Sequence, residues 1–260
     1  MTRTALTIAG SDSGGGAGIQ ADLKTFAMYG VFGMSAVTAI TAQNTRGVLR
    51  VDPVPPDGLR AQLDAVFDDI RVDVVKIGML ATAAHASVVA RFLQDLGASR
   101  PPVVLDPVMV ASTGHHLLTP DAVAVIRDEI LPLCVLATPN ISEAAVLAGA
   151  DGDAWFARQL TPVLVTGGDV PAGQLVVDRW WDQGRVRREW VGPRLGTLSF
   201  HGTGCTLASA IAADLALGSP LEEAIDRAVG YVRRLIAASI GGGTVGGGNP
   251  TLPHHLARPG

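Results

Sequence analysis

The 260-residue sequence predicts an α/β fold: a three-layer α/β/α sandwich with a mostly parallel central sheet. Three observations predict it. Short apolar runs alternate with segments of helical period, most of the runs are bounded by Gly, Pro or Asp, and 48% of the residues are hydrophobic. Only 17% are charged, which excludes a disordered chain. Because no repeat or linker is visible, we expect a single domain over residues 1–240 and a flexible glycine-rich tail over 241–260.

Short apolar runs predict the strands, and apolar residues repeating every three or four positions predict the helices between them. The predicted strands are Ala5–Ala9, Phe32–Ala39, Val74–Ile77, Val103–Leu105, Cys134–Thr138 and Val163–Thr166. The predicted helices are Ile19–Tyr29, a segment through Leu59 to Ile70, Val88–Leu96, one that starts at Thr119-Pro120, Thr203–Leu217 and Leu221–Ile240. Two runs around Asp182-Gln183-Gly184 predict a β-hairpin, Leu175–Trp180 with Val186–Val191.

Charge and cysteine content exclude several classes of protein. The net charge is −4 and the only lysines are Lys24 and Lys76, so no basic run could follow a nucleic-acid backbone. Cys134 and Cys205 cannot form a disulfide framework, which favours a reducing compartment. No export signal is visible, and the uncharged stretch before Arg46 is interrupted by glycine and polar residues. We therefore expect a cytoplasmic protein that binds neither nucleic acid nor membrane.

Two glycine-rich turns follow predicted strands. Residues 9–18 do not match the dinucleotide pattern G-x-G-x-x-G, yet three consecutive glycines exceed what a tight turn needs, which favours a small-ligand site. A turn without a ligand stays the alternative. The second turn, Thr166-Gly167-Gly168-Asp169, lies where open α/β sheets bind ligands, although an ordinary turn explains it equally well.

A third glycine-rich turn, residues 200–206, leads into an alanine-rich predicted helix. Backbone N–H groups at such a helix start form an anion hole. Cys205 would lie in the first helical turn, where the helix dipole favours the thiolate and lowers the pKa of the thiol. A small buried cysteine is the simpler interpretation. A cysteine hydrolase is a further one, with His201 close to Cys205 in sequence.

Two carboxylates stand at predicted strand and helix ends. Asp106 ends an apolar strand, and Glu143 opens the helix after the next strand. A pair of this kind holds Mg²⁺ through water beside phosphates. Glu143 has an alternative role in capping its helix, with Asn140 or Ser142 as its partner.

The chain has no P-loop, because neither lysine follows a glycine. Six motifs in order resemble another kinase family. They are residues 5–13 with 15–26, Ala42-Gln43-Asn44-Thr45, Lys76-Ile77-Gly78-Met79-Leu80, Asp106-Pro107-Val108-Met109, Thr138-Pro139-Asn140 and His201-Gly202-Thr203-Gly204-Cys205-Thr206. Together they resemble the hydroxymethylpyrimidine/phosphomethylpyrimidine kinases, of the ribokinase-like superfamily, over nearly the whole chain.

The resemblance implies ATP-dependent phosphorylation of 4-amino-5-hydroxymethyl-2-methylpyrimidine and then of its monophosphate, in thiamine diphosphate biosynthesis, with ATP and Mg²⁺ as cofactors. It also implies site residues. The pyrimidine would meet Gly10, Asp22, Gln43, Met79 and Val108; the nucleotide would meet Asn140, Thr166, Gly168 and His201; the metal would meet Asp106 and Glu143; and Gly202, Thr203 and Gly204 would form the anion hole with Cys205 as the base.

The resemblance leaves alternatives open. Thr166 stands where many relatives carry lysine. Without that positive charge, Mg²⁺ and the backbone would have to neutralise the nucleotide phosphates. A pyridoxal or pyridoxine kinase shares the fold and the anion hole, and a pyrimidine-binding relative without catalysis is a third reading. A homodimer is compatible with the family. Residues 41–47 and the predicted hairpin are candidates for a lid over the substrate.

Overall fold

The computed structural model describes residues 2–109, 118–168, 170–171, 174–196, 199–242 and 245–256. The strands are β1 (Thr4–Asp12), β2 (Phe32–Asn44), β3 (Gly47–Pro53), β4 (Val74–Ile77), β5 (Val103–Leu105), β6 (Leu136–Ala137), β7 (Val163–Val165), β8 (Leu175–Asp182) and β9 (Arg185–Pro193). The helices are α1 (Gly18–Met28), α2 (Pro56–Asp69), α3 (Ala83–Asp95), α4 (Pro120–Val125), α5 (Ile141–Ala148), α6 (Asp153–Arg158), α7 (Thr203–Ala216) and α8 (Leu221–Gly242).

The strands form one mixed sheet in the order β3-β2-β1-β4-β5-β6-β7-β8-β9. The six central strands pair in parallel; they are β2, β1, β4, β5, β6 and β7. Antiparallel strands cover both edges, with β3 on one side and the β8–β9 hairpin on the other. The predicted hairpin and the mostly parallel sheet are confirmed.

Alternation along the strands separates two apolar cores. Leu6 and Ile8 of β1 face a core shared with α2 to α6, whereas Ala5 faces a core shared with α1, α7 and α8. Successive side chains of a strand point to opposite faces, so a sheet with helices on both sides must carry apolar residues at consecutive positions. The three-layer α/β/α prediction is therefore confirmed.

The β2–β3 hairpin differs from the sequence-based expectation. Strand β3 was not predicted, and the candidate lid at residues 41–47 proves to be the end of β2 and the start of β3. Strand β3 is an edge strand without a buried face, so it lacks the apolar pattern that would reveal it. In the part of the chain with described coordinates, no helix is long and apolar enough to cross a membrane.

The expectation of a flexible tail is wrong for residues 245–256. Asn249 N–H donates to the carbonyl oxygen of Thr45 over 2.8 Å, at the end of the β2–β3 hairpin. Pro250 then accepts the backbone N–H of His201, also over 2.8 Å. Beyond it, His254 is buried against the hydroxyl of Thr206 in α7. This C-terminal segment thus connects the β2–β3 hairpin to the start of α7.

Candidate active site

A cavity of about 310 Å³ opens at the carboxyl ends of the parallel strands, where open α/β sheets place their ligands. Fourteen of the fifteen predicted site residues line it. They are Gly10, Gln43, Met79, Asp106, Val108, Asn140, Glu143, Thr166, Gly168, His201, Gly202, Thr203, Gly204 and Cys205. All three glycine-rich turns therefore meet at one place, which supports a ligand site at the first and second turns.

Asp22, which was expected to meet the pyrimidine, is the exception. Its side chain is fully buried in α1, and it does not line the cavity. Lys76 Nζ donates to both of its carboxylate oxygens, over 3.0 and 3.1 Å. The hydroxyls of Thr7 and Ser209 donate to it as well, over 2.6 and 2.7 Å. Asp22 accordingly holds the ammonium group of Lys76 in place.

Lys76 lies beside the predicted site residues, although in the sequence it stood out only as part of a motif. Its side chain is fully buried, and its ammonium group lies 3.6 Å from Oδ2 of Asp106. Burial is the largest single effect and disfavours the charge, but the surrounding acidic groups, Asp22 foremost, together outweigh it and raise the pKa of Lys76. Lys76 therefore carries a positive charge at the buried end of the cavity, which it lines together with Asp106. Its burial and its partner depend on contacts between distant parts of the chain, which no local pattern reveals.

Asp106 presents a buried oxygen to the site. Burial raises the pKa of this carboxyl, and the nearby Asp22 adds to the effect while Lys76 opposes it. Oδ2 is buried and has no hydrogen-bond partner among the described residues. The ammonium group of Lys76, 3.6 Å away, partly compensates the charge of this oxygen. Because Asp106 also lines the cavity, its carboxylate is placed where a bound cation could meet it.

The third glycine-rich turn is built as expected. Gly202 has a left-handed backbone (φ +84°), and α7 begins at Thr203 without a side-chain cap. The first backbone hydrogen bond of α7 is from Thr206 N–H to Gly202 O, over 2.9 Å, so the N–H groups of residues 203–205 have no helical partner. A Cβ on Gly202 would collide with the carbonyl oxygen of Gly16. The first and third glycine turns therefore pack backbone against backbone.

The expected lowering of the Cys205 pKa is wrong. Burial raises the pKa of the thiol to about 12; Lys76 opposes this shift, and Asp106 and Asp22 add to it. The thiol is hydrogen-bonded to Asp106. Desolvation and two nearby carboxylates therefore outweigh the helix dipole at this position.

Asp12 is a second cavity residue that the sequence did not single out. Its carboxylate accepts the N–H groups of Gly14, Gly16 and Ala17 over 2.8, 3.0 and 2.8 Å. His201 Nε2 donates to the same carboxylate over 2.9 Å. Burial raises the pKa of Asp12, but the bonds from His201 and the backbone outweigh it and lower the pKa. An aspartate two residues before a glycine run is the signal that could have revealed this turn.

The nucleotide side of the cavity combines a helix cap with a strand end. Asn140 and Glu143 form a reciprocal capping box at the start of α5, so the capping interpretation of Glu143 is confirmed. Its carboxylate also accepts the N–H of Met109 over 3.2 Å. Thr166 follows β7 and pairs with Asn140 through an isolated bridge. In the described ranges, no group of three or more His, Cys, Asp or Glu side chains could hold a metal ion by itself.

Known proteins share both the sequence and the fold. The sequence model of the family described as phosphomethylpyrimidine kinase matches residues 12–249. A hydroxymethylpyrimidine/phosphomethylpyrimidine kinase of Rhizobium meliloti is 48% identical over 249 residues, which cover 92% of each chain.

Two solved structures extend the comparison. A phosphomethylpyrimidine kinase of Clostridium difficile is 37% identical, with a TM-score of 0.74, and covers 90% of this chain and 100% of its own. An ADP complex of Bacillus subtilis pyridoxal kinase is 33% identical, with a TM-score of 0.85, and covers 99% of this chain and 100% of its own. These matches confirm the ribokinase-like fold expected from the sequence. Since the family match spans most of the sequence, this chain belongs to the phosphomethylpyrimidine kinase family.

Proposed function

We propose that this protein is a hydroxymethylpyrimidine/phosphomethylpyrimidine kinase of thiamine biosynthesis. It transfers the γ-phosphoryl group of ATP to the hydroxymethyl group of the aminopyrimidine, and then a second phosphoryl group to the monophosphate. One observation carries the proposal: a single cavity joins an amide and a thioether, suited to a flat amino-substituted ring, to the unpaired N–H groups that begin α7. The Rhizobium meliloti relative bears the same enzyme name.

The ring side of the cavity is supplied by β2 and the end of β4. Gln43 offers a donor and an acceptor together, which matches the adjacent amino group and ring nitrogen of an aminopyrimidine. Met79 is nearly buried, and a Cβ on Gly10 would collide with its terminal methyl group. Gly10 therefore leaves room for the soft thioether, which provides an apolar, polarisable surface for the ring.

The phosphate side is supplied by the start of α7. Phosphoryl transfer needs positioning and stabilisation of charge on the phosphoryl oxygens more than covalent chemistry. The N–H groups of Thr203, Gly204 and Cys205 point from a helix N-terminus, where the dipole adds about half a positive charge. The proton of the substrate hydroxyl passes to Cys205 as its thiolate.

Mg²⁺ fits the carboxylates at the strand ends. Asp106 and Glu143 both line the cavity, and their carboxylate oxygens are the ligand type that Mg²⁺ prefers, directly or through water. These two residues would hold the ion, which neutralises phosphate charge when bound. Arg194 and Arg233 also line the cavity, so positive side chains are present although Thr166 is not a lysine.

Pyridoxine phosphorylation is a second candidate activity. The pyridoxal kinase of Bacillus subtilis has a TM-score of 0.85 to this chain, above that of the Clostridium difficile phosphomethylpyrimidine kinase. Its named substrate is also a flat heteroaromatic ring. We propose this reaction as a side activity, because Gln43 suits the amino–nitrogen edge of a pyrimidine.

Product analysis tests both activities. Purified protein is incubated with Mg-ATP and either hydroxymethylpyrimidine or pyridoxine, and the mono- and diphosphates are separated. We expect the pyrimidine diphosphate as the end product and slower formation of pyridoxine phosphate. Pyridoxine phosphate alone would assign the protein to vitamin B6 salvage, and no product from either substrate would support a binding protein without catalysis.

A further inference from the structure

We propose that His201, held by Asp12, is a positioning residue that fixes the amide orientation of Gln43 and thereby selects an aminopyrimidine ring. The family resemblance implies a contact of His201 with the nucleotide. The structure places its ring between Asp12 and Gln43, on the pyrimidine side. The inference rests on the proposed function, in which Gln43 binds the pyrimidine.

The first step is the position of a hydrogen on His201. The Asp12 carboxylate is buried and accepts three backbone N–H groups besides the 2.9 Å contact with Nε2. A carboxylate in this state only accepts hydrogen bonds. Nε2 must therefore carry a hydrogen and donate it to Asp12, whether the imidazole is neutral or protonated.

The second step concerns the amide of Gln43. Its nitrogen lies 3.1 Å from Nε2 of His201, which brings two donors face to face. Its oxygen lies 3.2 Å from the Thr41 hydroxyl, whose hydrogen is already donated to the carbonyl oxygen of Ser11 over 2.7 Å. A half-turn of the amide exchanges oxygen and nitrogen and turns both contacts into hydrogen bonds. Two independent neighbours thus favour the same orientation.

The third step is what this orientation leaves for a ligand. The oxygen of Gln43 shares the Nε2 hydrogen of His201 and keeps one lone pair, and the nitrogen donates to Thr41 and keeps one hydrogen. The free lone pair and hydrogen match an amino group next to a ring nitrogen. Pyridoxine has no such pair, so fixing the amide favours the pyrimidine over pyridoxine.

The imidazole is itself held from several sides. Pro250 of the C-terminal segment accepts the backbone N–H of His201 over 2.8 Å. A Cβ on Gly16 would collide with the ring carbon next to Nε2. The ring therefore has little freedom to turn away from Gln43, as a positioning residue requires.

Two substitutions at His201 test the proposal. His201→Leu removes the donor, and His201→Gln keeps an N–H that reaches Asp12. We expect His201→Leu to raise the KM for hydroxymethylpyrimidine about tenfold, with the KM for ATP and the KM for pyridoxine within about twofold of wild type. His201→Gln should stay close to wild type. A rise in the KM for ATP, an equal rise for both ring substrates, or a His201→Gln variant as impaired as His201→Leu would overturn the proposal.

His85 gives a matched control, because it is another buried histidine, hydrogen-bonded to Thr82 and to the carbonyl oxygen of Val54, and does not line the cavity. His85→Leu should lower the stability without changing the KM for the pyrimidine. If it raises this KM as much as His201→Leu does, the effect is general destabilisation and the proposal fails.

A double-mutant cycle shows whether His201 acts through Gln43. In a Gln43→Ala background, His201→Leu should have no further effect on the KM for the pyrimidine. A persisting tenfold effect overturns the proposal. Should His201→Leu fail to fold, Thr41→Val removes the other amide partner and enters the same cycle, with an expected rise of about threefold that Gln43→Ala abolishes.

The cycle also separates this proposal from the proposed function. If Gln43→Ala alone leaves the KM for the pyrimidine unchanged, Gln43 does not bind the pyrimidine. The binding role given to Gln43 in the proposed function and the positioning role of His201 then both fail. If Gln43→Ala raises this KM and His201→Leu does not, only the positioning proposal fails.

Discussion

At the scale of single residues, Cys205 shows how a buried cluster of charges changes the chemistry of one side chain. Its thiol begins α7, but it also lies close to Asp106, Asp22 and Lys76. Burial is the largest cause that disfavours a negative charge on sulfur, and the two carboxylates add to it against the opposing charge of Lys76. Cys205 is therefore a strong base in its thiolate form, and that form is scarce near neutral pH.

A pH series tests this state of Cys205. The pKa of about 12 means that the thiolate fraction increases about tenfold per pH unit at all lower pH values. We expect the rate of Cys205 alkylation by iodoacetamide, followed by mass spectrometry, to rise in this proportion between about pH 7 and pH 9. The kcat for pyrimidine phosphorylation should rise with it, and Cys205→Ala should lower kcat about a hundredfold or more.

The second cysteine is the internal control for the alkylation. Cys134 is buried, and burial also raises the pKa of its thiol, so it should stay unmodified in the folded protein. A Cys205 alkylation rate that levels off near pH 7 would show a lowered pKa. A kcat that is unaffected by Cys205→Ala would remove Cys205 from the mechanism.

Single site residues could be predicted where their position relative to a strand or helix end places them at the cavity. Residues that follow a strand or open a helix, such as Asp106 and Gly202, were predicted because the sequence fixes their place at the cavity edge. The burial of Asp22 and the role of Lys76 were not predicted. These depend on a contact across 54 positions of the chain, which no local pattern encodes.

At the scale of elements, the contact between the first and third glycine turns sets the geometry of the site. Gly202 packs directly on the carbonyl group of Gly16, and its left-handed backbone (φ +84°) excludes most other residues. This contact holds the start of α7 against the turn that Asp12 organises. The position of the anion hole relative to Gln43 therefore depends on two backbones in contact.

Gly202→Ala is expected to separate these two turns. The added Cβ meets the Gly16 carbonyl oxygen and forces a strained backbone, so we expect a loss of roughly 3 kcal/mol in the free energy of unfolding. A displacement of the anion hole by about 1 Å should also lower kcat/KM about a hundredfold. Urea denaturation and steady-state kinetics measure the two effects.

Gly47→Ala is the matched control, because a Cβ at this position of β3 meets no atom within 4 Å. It should change neither stability nor kcat/KM appreciably. Full activity of Gly202→Ala would show that the two turns can move apart without harm, contrary to the expectation.

Strands and helices could be predicted where one face is buried, because burial imposes a regular spacing of apolar residues on the sequence. The central strands and the helices α7 and α8 alternate or repeat because they pack on two cores. Strand β3 is partly exposed along its length and carries no such pattern. Its place was set by pairing with β2, which is a tertiary contact.

At the scale of the whole molecule, the C-terminal segment completes the site from outside the sheet. It contacts the β2–β3 hairpin at Thr45, the site at His201 and α7 at Thr206. Its glycines suggested flexibility, because composition does not show that backbone groups will find partners. Gly248 N–H donates to the Thr45 hydroxyl over 3.2 Å, and that contact exists only in the fold.

The docking of this segment makes the stability of the molecule sensitive to acid through His254. Burial lowers the pKa of His254 from 6.5 to about 4, and the charge of Lys24 adds to this shift. The folded protein therefore keeps His254 neutral down to about pH 4, while the unfolded chain takes up a proton near pH 6.5. The stability contributed by neutral His254 is fully present above this range and falls as the pH decreases through it, by up to about 3 kcal/mol.

His254→Gln tests this dependence, because glutamine does not titrate and its amide can still donate to Thr206. We expect urea denaturation between about pH 7 and pH 4 to show a smaller loss of stability for this variant than for the wild type. His255→Gln removes an exposed histidine one residue away and should follow the wild type. Equal slopes for His254→Gln and the wild type would mean that His254 takes up its proton as readily in the folded protein as in the unfolded chain, so that burial in the C-terminal segment does not lower its pKa and the prediction fails.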